Sequence, residues 1–165
     1  MIDLDQIDFE ILGHLQNNAR LSNKELAALV GLAPSSCLER VRRLTRDGAL
    51  EGFHARVSDE ALGIGVQAMI EVSLKQHSRE TVQTFTDYAL GQVPEVVGLF
   101  HVTGDQDFFM HVAVRDANHL RDLLLDHFTT RPEVGRLQTH IVFQHHRRPV
   151  RPALSRDLAK SPHRG

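Results

Sequence analysis

The chain has 165 residues, of which 41% are hydrophobic, and its formal net charge at pH 7 is −2. The length accommodates one large domain or two small ones, and the weak net charge argues against a protein that coats nucleic acid indiscriminately. A single cysteine excludes an intrachain disulfide. No apolar run reaches the roughly 18 residues of a membrane span, and the acidic N-terminus does not resemble a signal peptide. We therefore expect a protein of the reducing cytoplasm.

Three helices are predicted in the first third of the chain. Apolar residues recur every three or four positions over residues 4–15, and Asp3 is placed to cap that helix. A second helix begins at Ser22, which has the spacing of a capping box with Glu25. Gly31 ends it, because glycine readily adopts the left-handed conformation found after a helix C-terminus.

The third helix begins at Pro34, which costs no hydrogen bond in the first turn. Its apolar residues Cys37, Val41 and Leu44 form an inward stripe, which favours a core role for the thiol over a redox switch. Two short helices joined by a tight turn and braced by an earlier helix predict a helix-turn-helix unit. Residues 49–57 predict a strand or short wing.

The rest of the chain follows a different pattern. The glycine-containing segment 58–65 predicts a linker, so a DNA-binding domain is expected over residues 1–57. Two helices are predicted, at residues 79–90 and 116–128, and four strands, at residues 66–74, 96–102, 108–114 and 137–143. The order β-α-β-β-α-β predicts a ferredoxin-like domain over residues 66–145, and hence an α+β protein. Residues 146–165 form a basic, proline-containing tail that we expect to be flexible.

The third helix carries four arginines within seven residues. Arg40 and Arg43 lie one turn apart and avoid the apolar stripe, and arginine can bind guanine edges or phosphate. The residues predicted to contact DNA are Lys24, Pro34, Ser35, Ser36, Glu39, Arg40 and Arg43. From the arginines alone, the alternative is a solvated basic face on an ordinary helix.

The turn between the second and third predicted strands consists of Gly104, Asp105, Gln106 and Asp107. A carboxylate there can pair with an ammonium group, while turn N–H groups can hold a carboxylate, which together match a zwitterionic amino acid. Thr139 adds a hydroxyl from another strand. From the residues alone, the alternative is a hairpin whose Gly and Asp residues serve only the turn.

Both halves resemble the Lrp/AsnC family of transcriptional regulators. The resemblance is carried by the segments Leu4–Arg20, Glu25–Phe53, Leu62-Gly63, Thr103–Phe108 and Thr139–Val142. It implies sequence-specific binding to double-stranded DNA, modulated by an amino acid that is held between dimers by residues 104–107 and Thr139. It also implies a homodimer that assembles into a tetramer or octamer. One departure is Ala33, where the family usually has Ser or Thr at the N-cap of the recognition helix.

Parts of the sequence are also compatible with other functions. A ligand-independent DNA-organising protein of the same fold is the nearest alternative, and a small-molecule-binding or metal-binding oligomeric module belongs to a different class. The histidines that invite a metal site are His101, His111, His140, His145 and His146, but they lack a close ligand signature. The sequence contains no nucleophile–base pair at a recognised spacing and no phosphate-binding glycine loop, so we expect no enzyme, cofactor or metal.

Overall fold

The structure is a computed structural model that describes residues 3–148 and 150–154. The chain divides into two compact units, and Val57–His145 form the second. In the part of the chain described, no helix is both long and apolar enough to cross a membrane.

The described residues of the first unit form three helices: α1 (Gln6–Asn17), α2 (Asn23–Leu29) and α3 (Pro34–Arg46). The N-cap of α1 is Asp5 rather than Asp3, because Asp5 and Asp8 form a capping box in which each carboxylate accepts the other residue's N–H. This box starts the helix two residues later than the apolar pattern predicts. The predicted capping box of Ser22 and Glu25 is confirmed at the start of α2.

The turn between α2 and α3 depends on Gly31, whose φ of 67° lies in the left-handed region. The three helices enclose a small apolar core that consists of Ile11, Leu15, Leu26, Ala27, Val30, Cys37 and Leu44. The predicted core position of Cys37 is confirmed: its side chain is fully buried, and burial raises the pKa of its thiol.

Residues 49–57, for which we predict a strand or short wing, contain no strand. Residues 51–57 have no regular secondary structure and are exposed, while Leu50 donates its N–H back to the Leu44 carbonyl at 2.9 Å. The described residues of this unit offer no other strand with which residues 49–57 could pair. A strand without a partner leaves its backbone N–H and C=O groups without inter-strand hydrogen bonds.

The second unit is a four-stranded sheet with helices on one face. Its strands are β1 (Val66–Leu74), β2 (Val96–His101), β3 (Phe108–Val114) and β4 (Val134–Ile141). They lie in the order β2-β3-β1-β4, and every neighbouring pair is antiparallel. The helices are α4 (Arg79–Gln92) and α5 (Ala117–Leu124), and a π-helical turn, Leu125–Thr129, continues α5. The predicted ferredoxin-like fold is confirmed, although β4 begins three residues earlier than expected because Val134 pairs with Leu74.

The two faces of this sheet differ in burial. Alternate residues of β1 and β3, among them Ile70 and Met110, pack against Phe85 and Phe128 in the core beneath the helices. The intervening residues point to the opposite face. There Met69 and Phe109 are half-buried and Phe100 is 56% exposed, so this face has no covering layer within the unit.

The predicted tail is described only in part. Residues 146–148 and 150–154 contain no helix or strand, and the Arg151 N–H donates to Gln16 Oε1 at 2.8 Å. The remaining tail residues, for which we predict flexibility, lie outside the described residues.

Candidate DNA-binding and effector sites

The solvent-facing side of α3 is polar and carries two arginines. It consists of Ser35, Glu39, Arg42 and Arg46, all of which are exposed. Their spacing of four, three and four residues aligns them along one side of a helix. We call these four residues the outer face of α3. The Arg46 side chain is 71% exposed, and its Nε lies 3.4 Å from a carboxylate oxygen of Asp47.

Arg40 and Arg43 turn away from the outer face and bind two carboxylates at the start of α1. Arg40 Nη1 lies 2.7 Å from Asp5 Oδ2 and 2.9 Å from Asp8 Oδ1. Arg43 Nη2 lies 2.5 Å from Asp8 Oδ2. We call these four residues the aspartate–arginine cluster. The Asp8 side chain is only 1% exposed, so both arginines compensate a buried charge.

The electrostatics of this cluster stabilise its ionised form. Burial alone would raise the pKa of Asp5, but hydrogen bonds from the Asp8 N–H and from Arg40 outweigh burial and lower that pKa. The same contacts with Asp5 and Asp8 raise the pKa of Arg40. In formal charges, the two arginines of the cluster balance its two aspartates.

The other residues predicted to contact DNA are all on the surface. Lys24 on α2 is exposed, as are Pro34 and Ser36 at the start of α3. Asn23 Nδ2 donates to the Pro34 carbonyl at 2.7 Å and so links α2 to the first turn of α3. Ala33 supplies no side-chain cap there, which leaves that helix start open to solvent.

Sequence reasoning predicted DNA contacts for Arg40 and Arg43, which the structure places in ion pairs with Asp5 and Asp8 rather than on the outer face. It selected Arg40 and Arg43 because they avoid the apolar stripe, and it passed over Arg42 and Arg46. Their spacing relative to Ser35, close to two and three helical turns, was the signal that could have identified them.

The predicted effector hairpin is held to the end of β1 by Asp107. Its Oδ2 accepts the Leu74 N–H at 2.6 Å, and its Oδ1 lies 2.5 Å from His77 Nδ1. Burial alone would raise the pKa of Asp107, but the Leu74 hydrogen bond and the His77 contacts outweigh it and lower that pKa. Both carboxylate oxygens thus have partners within the chain.

The other hairpin residues are arranged around this anchor. Gln106 is half-buried and accepts a hydrogen bond from the Ser73 hydroxyl. Asp105 is exposed at the tip. Gly104 has a φ of 122°, a backbone conformation that residues other than glycine rarely adopt.

Thr139 lies on β4 at the rim of a groove beneath α5. The groove has a volume of about 410 Å³ and is lined by Ala117, Leu120, Arg121, Leu124, Leu125, Thr129, Leu137 and Thr139. Thr139 pairs with Ile70, whereas Asp107 bonds to Leu74 four residues further along β1. Four residues of strand span roughly 13 Å, so one chain does not bring Asp107 and Thr139 into a single site.

Of the histidines considered for a metal site, His111 and His145 are in contact, with ring centroids 5.9 Å apart. His101 packs against Phe108, 5.0 Å between ring centroids, on the helix side of the sheet. His111 accepts or donates a hydrogen bond with Gln67 on the other face, and His140 Nε2 lies 3.0 Å from Glu71 Oε1. In the portion of the chain that the structure describes, no three His, Cys, Asp or Glu side chains form a group suited to a metal ion.

Two family models match the chain. The winged helix-turn-helix DNA-binding model matches residues 4–51, and the Lrp/AsnC ligand binding domain matches residues 67–151. Together they account for both units of the structure.

Individual proteins match both units in the same order. The HTH-type transcriptional regulator AldR of Mycolicibacterium smegmatis is 39% identical over 143 residues, which cover 87% of this chain and 83% of AldR. The leucine-responsive regulatory protein of Escherichia coli is 34% identical over 142 residues, which cover 86% of each protein. A crystal structure of a transcriptional regulator from Neisseria meningitidis in complex with L-Met has a TM-score of 0.81 and 32% identity, and the match covers 88% of this chain and 94% of that one.

Proposed function

The chain belongs to the Lrp/AsnC family of DNA-binding transcriptional regulators, and from that premise we propose that it binds specific operators as a homo-oligomer whose DNA affinity responds to an amino acid. The observation that carries this proposal is the exposed polar side of α3, presented by a helix-turn-helix whose core is complete without it.

Recognition of DNA would place the N-terminal half of α3 in the major groove. Ser35, Ser36 and Glu39 are exposed there and carry hydroxyl and carboxylate groups that can contact base edges. Lys24 on α2 would bind the flanking phosphate backbone. The uncapped start of α3 adds backbone N–H groups that favour a phosphate.

The uncovered face of the sheet supports dimerisation. A helix-turn-helix unit of this size normally needs a second copy to read two half-sites. Met69, Phe100 and Phe109 expose apolar surface on the sheet face that has no covering layer in the unit, and a second copy of the chain would bury it. We expect Phe100→Glu to convert a dimer to a monomer in sedimentation velocity. Leu90→Glu changes a side chain of similar exposure on α4 and is the control that should stay dimeric.

The effector site would be completed by two subunits. Residues 104–107 and Thr139 lie too far apart in one chain to hold one amino acid, so the hairpin of one subunit would face β4 of another. The L-Met bound to the Neisseria regulator supports an amino acid as ligand. Asp107→Ala is then expected to abolish the ligand response while DNA binding persists.

The experiment measures binding of the full chain to its own upstream DNA and to a scrambled fragment at several salt concentrations, with and without each of the twenty amino acids. Specific binding that one amino acid shifts supports the proposal. Equal affinity for both fragments would overturn the specific regulator, and specific binding that no amino acid changes would favour the ligand-independent alternative. AldR is named as a transcriptional regulator and the Escherichia coli relative as a regulatory protein, and we propose no catalytic role.

A further inference from the structure

We infer that the four arginines of α3 divide into two pairs with different roles. Arg42 and Arg46 contact DNA phosphates, whereas Arg40 and Arg43 are positioning residues that hold α3 against α1 through Asp8. This inference rests on the proposed binding of DNA by the outer face of α3, and it assigns that binding to residues that the sequence pattern did not select.

The geometry separates the two pairs. Arg42 and Arg46 follow Ser35 by seven and eleven residues, close to two and three turns of about 3.6 residues each. They therefore extend the line of Ser35 and Glu39 along the surface that a DNA groove would meet. Arg40 and Arg43 reach instead across the helix pair to the N-terminal turn of α1.

The burial of Asp8 keeps the second pair in place. Its side chain is 1% exposed, and its two oxygens are divided between Arg40 and Arg43 at 2.9 and 2.5 Å. If Arg40 or Arg43 moved to bind a phosphate, the buried carboxylate of Asp8 would lose one of its two cationic partners. That loss is costly, because a buried charge requires partners. The arginine side chains are also themselves largely covered, at 28% and 38% exposure.

Charge balance leads to the same division. The aspartate–arginine cluster has no net charge, and Asp5 in it is half-exposed at 51%, so an approaching phosphate meets a carboxylate beside the arginine. Arg46 has only an exposed contact with Asp47 at 3.4 Å, and such surface pairs are weak enough to be exchanged for a phosphate. Among the residues that the structure describes, Arg42 forms no ion pair.

The test compares neighbouring arginines with the same substitution. Arg42→Gln and Arg43→Gln are made in the full chain, and the affinity for the target fragment is measured by fluorescence anisotropy across a salt series. Each phosphate contact contributes about 0.9 to the slope of log affinity against log salt. We expect Arg42→Gln, and likewise Arg46→Gln, to reduce the slope by about one for each DNA-binding unit engaged, while Arg43→Gln and Arg40→Gln leave it unchanged.

Asp8→Asn provides a second test, because the two assignments of Arg40 and Arg43 predict opposite changes in DNA affinity. If Arg40 and Arg43 contacted phosphate, removal of a neighbouring negative charge would strengthen binding and steepen the salt slope. Under our inference the variant loosens α3, so affinity falls several-fold at an unchanged slope. Circular dichroism verifies that each variant is folded at the temperature used, and glutamine retains a donor for Asp8 in the Arg40 and Arg43 variants.

The outcomes distinguish a failure of this inference from a failure of the proposed DNA-binding function. Failure of the unmodified chain to prefer its target over scrambled DNA would overturn the proposed function. The division of the arginines alone would be overturned if the unmodified chain binds specifically but the slope is unchanged in Arg42→Gln and Arg46→Gln. A slope reduced by about one for each DNA-binding unit in Arg43→Gln would overturn it as well.

Discussion

Removal of the buried carboxylate in the first unit is the sharpest test of what holds that unit together. Asp8→Ala deletes three interactions: the contacts with Arg40 at 2.9 Å and Arg43 at 2.5 Å, and the hydrogen bond from the Asp5 N–H at 3.1 Å. The first two join α1 to α3, and the third closes the capping box at the start of α1. We expect the variant to fold but to lose a substantial part of the stability of this unit.

The magnitude follows from the burial of the partners. Hydrogen bonds to charged groups contribute about 1.5–3 kcal/mol each, and a helix cap about 1 kcal/mol. Both arginines are partly exposed, at 28% and 38%, so they regain water when Asp8 is absent, and removal of a buried charge also relieves its desolvation. These offsets reduce the expected loss to about 2–3 kcal/mol.

Urea unfolding followed by two probes makes the measurement specific. The chain has no tryptophan and one tyrosine, Tyr88, which lies on α4 in the second unit. Far-ultraviolet circular dichroism reports the helices of both units, whereas Tyr88 fluorescence reports the second unit alone. The control is Glu10→Ala, which removes an exposed side chain on α1 with one 3.2 Å contact to Gln6 and should cost no more than about 0.5 kcal/mol. A loss in Asp8→Ala that does not exceed the loss in Glu10→Ala would refute the reasoning.

Three further changes probe other parts of the structure. Asp107 has an ordinary pKa of 3.8 that is lowered in the fold, so its contribution to stability is present above that pH and is lost as pH falls through the lower, folded-state value. Asp107→Asn should therefore be less stable near pH 6 and show a flatter acid limb, and an unchanged pH profile of the unfolding free energy would contradict this. Ala33→Ser should add the missing N-cap of α3 and raise stability by about 1 kcal/mol in thermal unfolding; no gain would mean that the hydroxyl does not reach the backbone. Phe85→Ala should cost about 3–5 kcal/mol, because its ring is fully buried against Phe108 at 4.9 Å. Phe143→Ala, at a side chain that is 94% exposed, is its control and should unfold at the urea concentration of the unmodified chain; equal losses in the two variants would disprove the core assignment.

Much of the fold was predictable because its signals are local. The capping box of Ser22 and Glu25 and the turn at Gly31 depend on contacts within a few residues, and both are present as predicted. The strand and helix order of the second unit follows from periodicity along each segment, and the sheet order confirms it. The strand expected within residues 49–57 does not form, because strand formation depends on a partner strand that a local pattern does not reveal.

The sequence by itself determined that this chain carries a helix-turn-helix and a ferredoxin-like sheet, since capping, periodicity and turn chemistry act over a few residues. Only the tertiary structure decided which side chains are available at each site. Arg43 meets Asp8 across 35 positions and Asp107 meets the Leu74 N–H across 33, and no local pattern encodes such a pairing. A charged residue binds the partner that folding brings within reach, and for Arg40 and Arg43 that partner is a buried aspartate of the same chain.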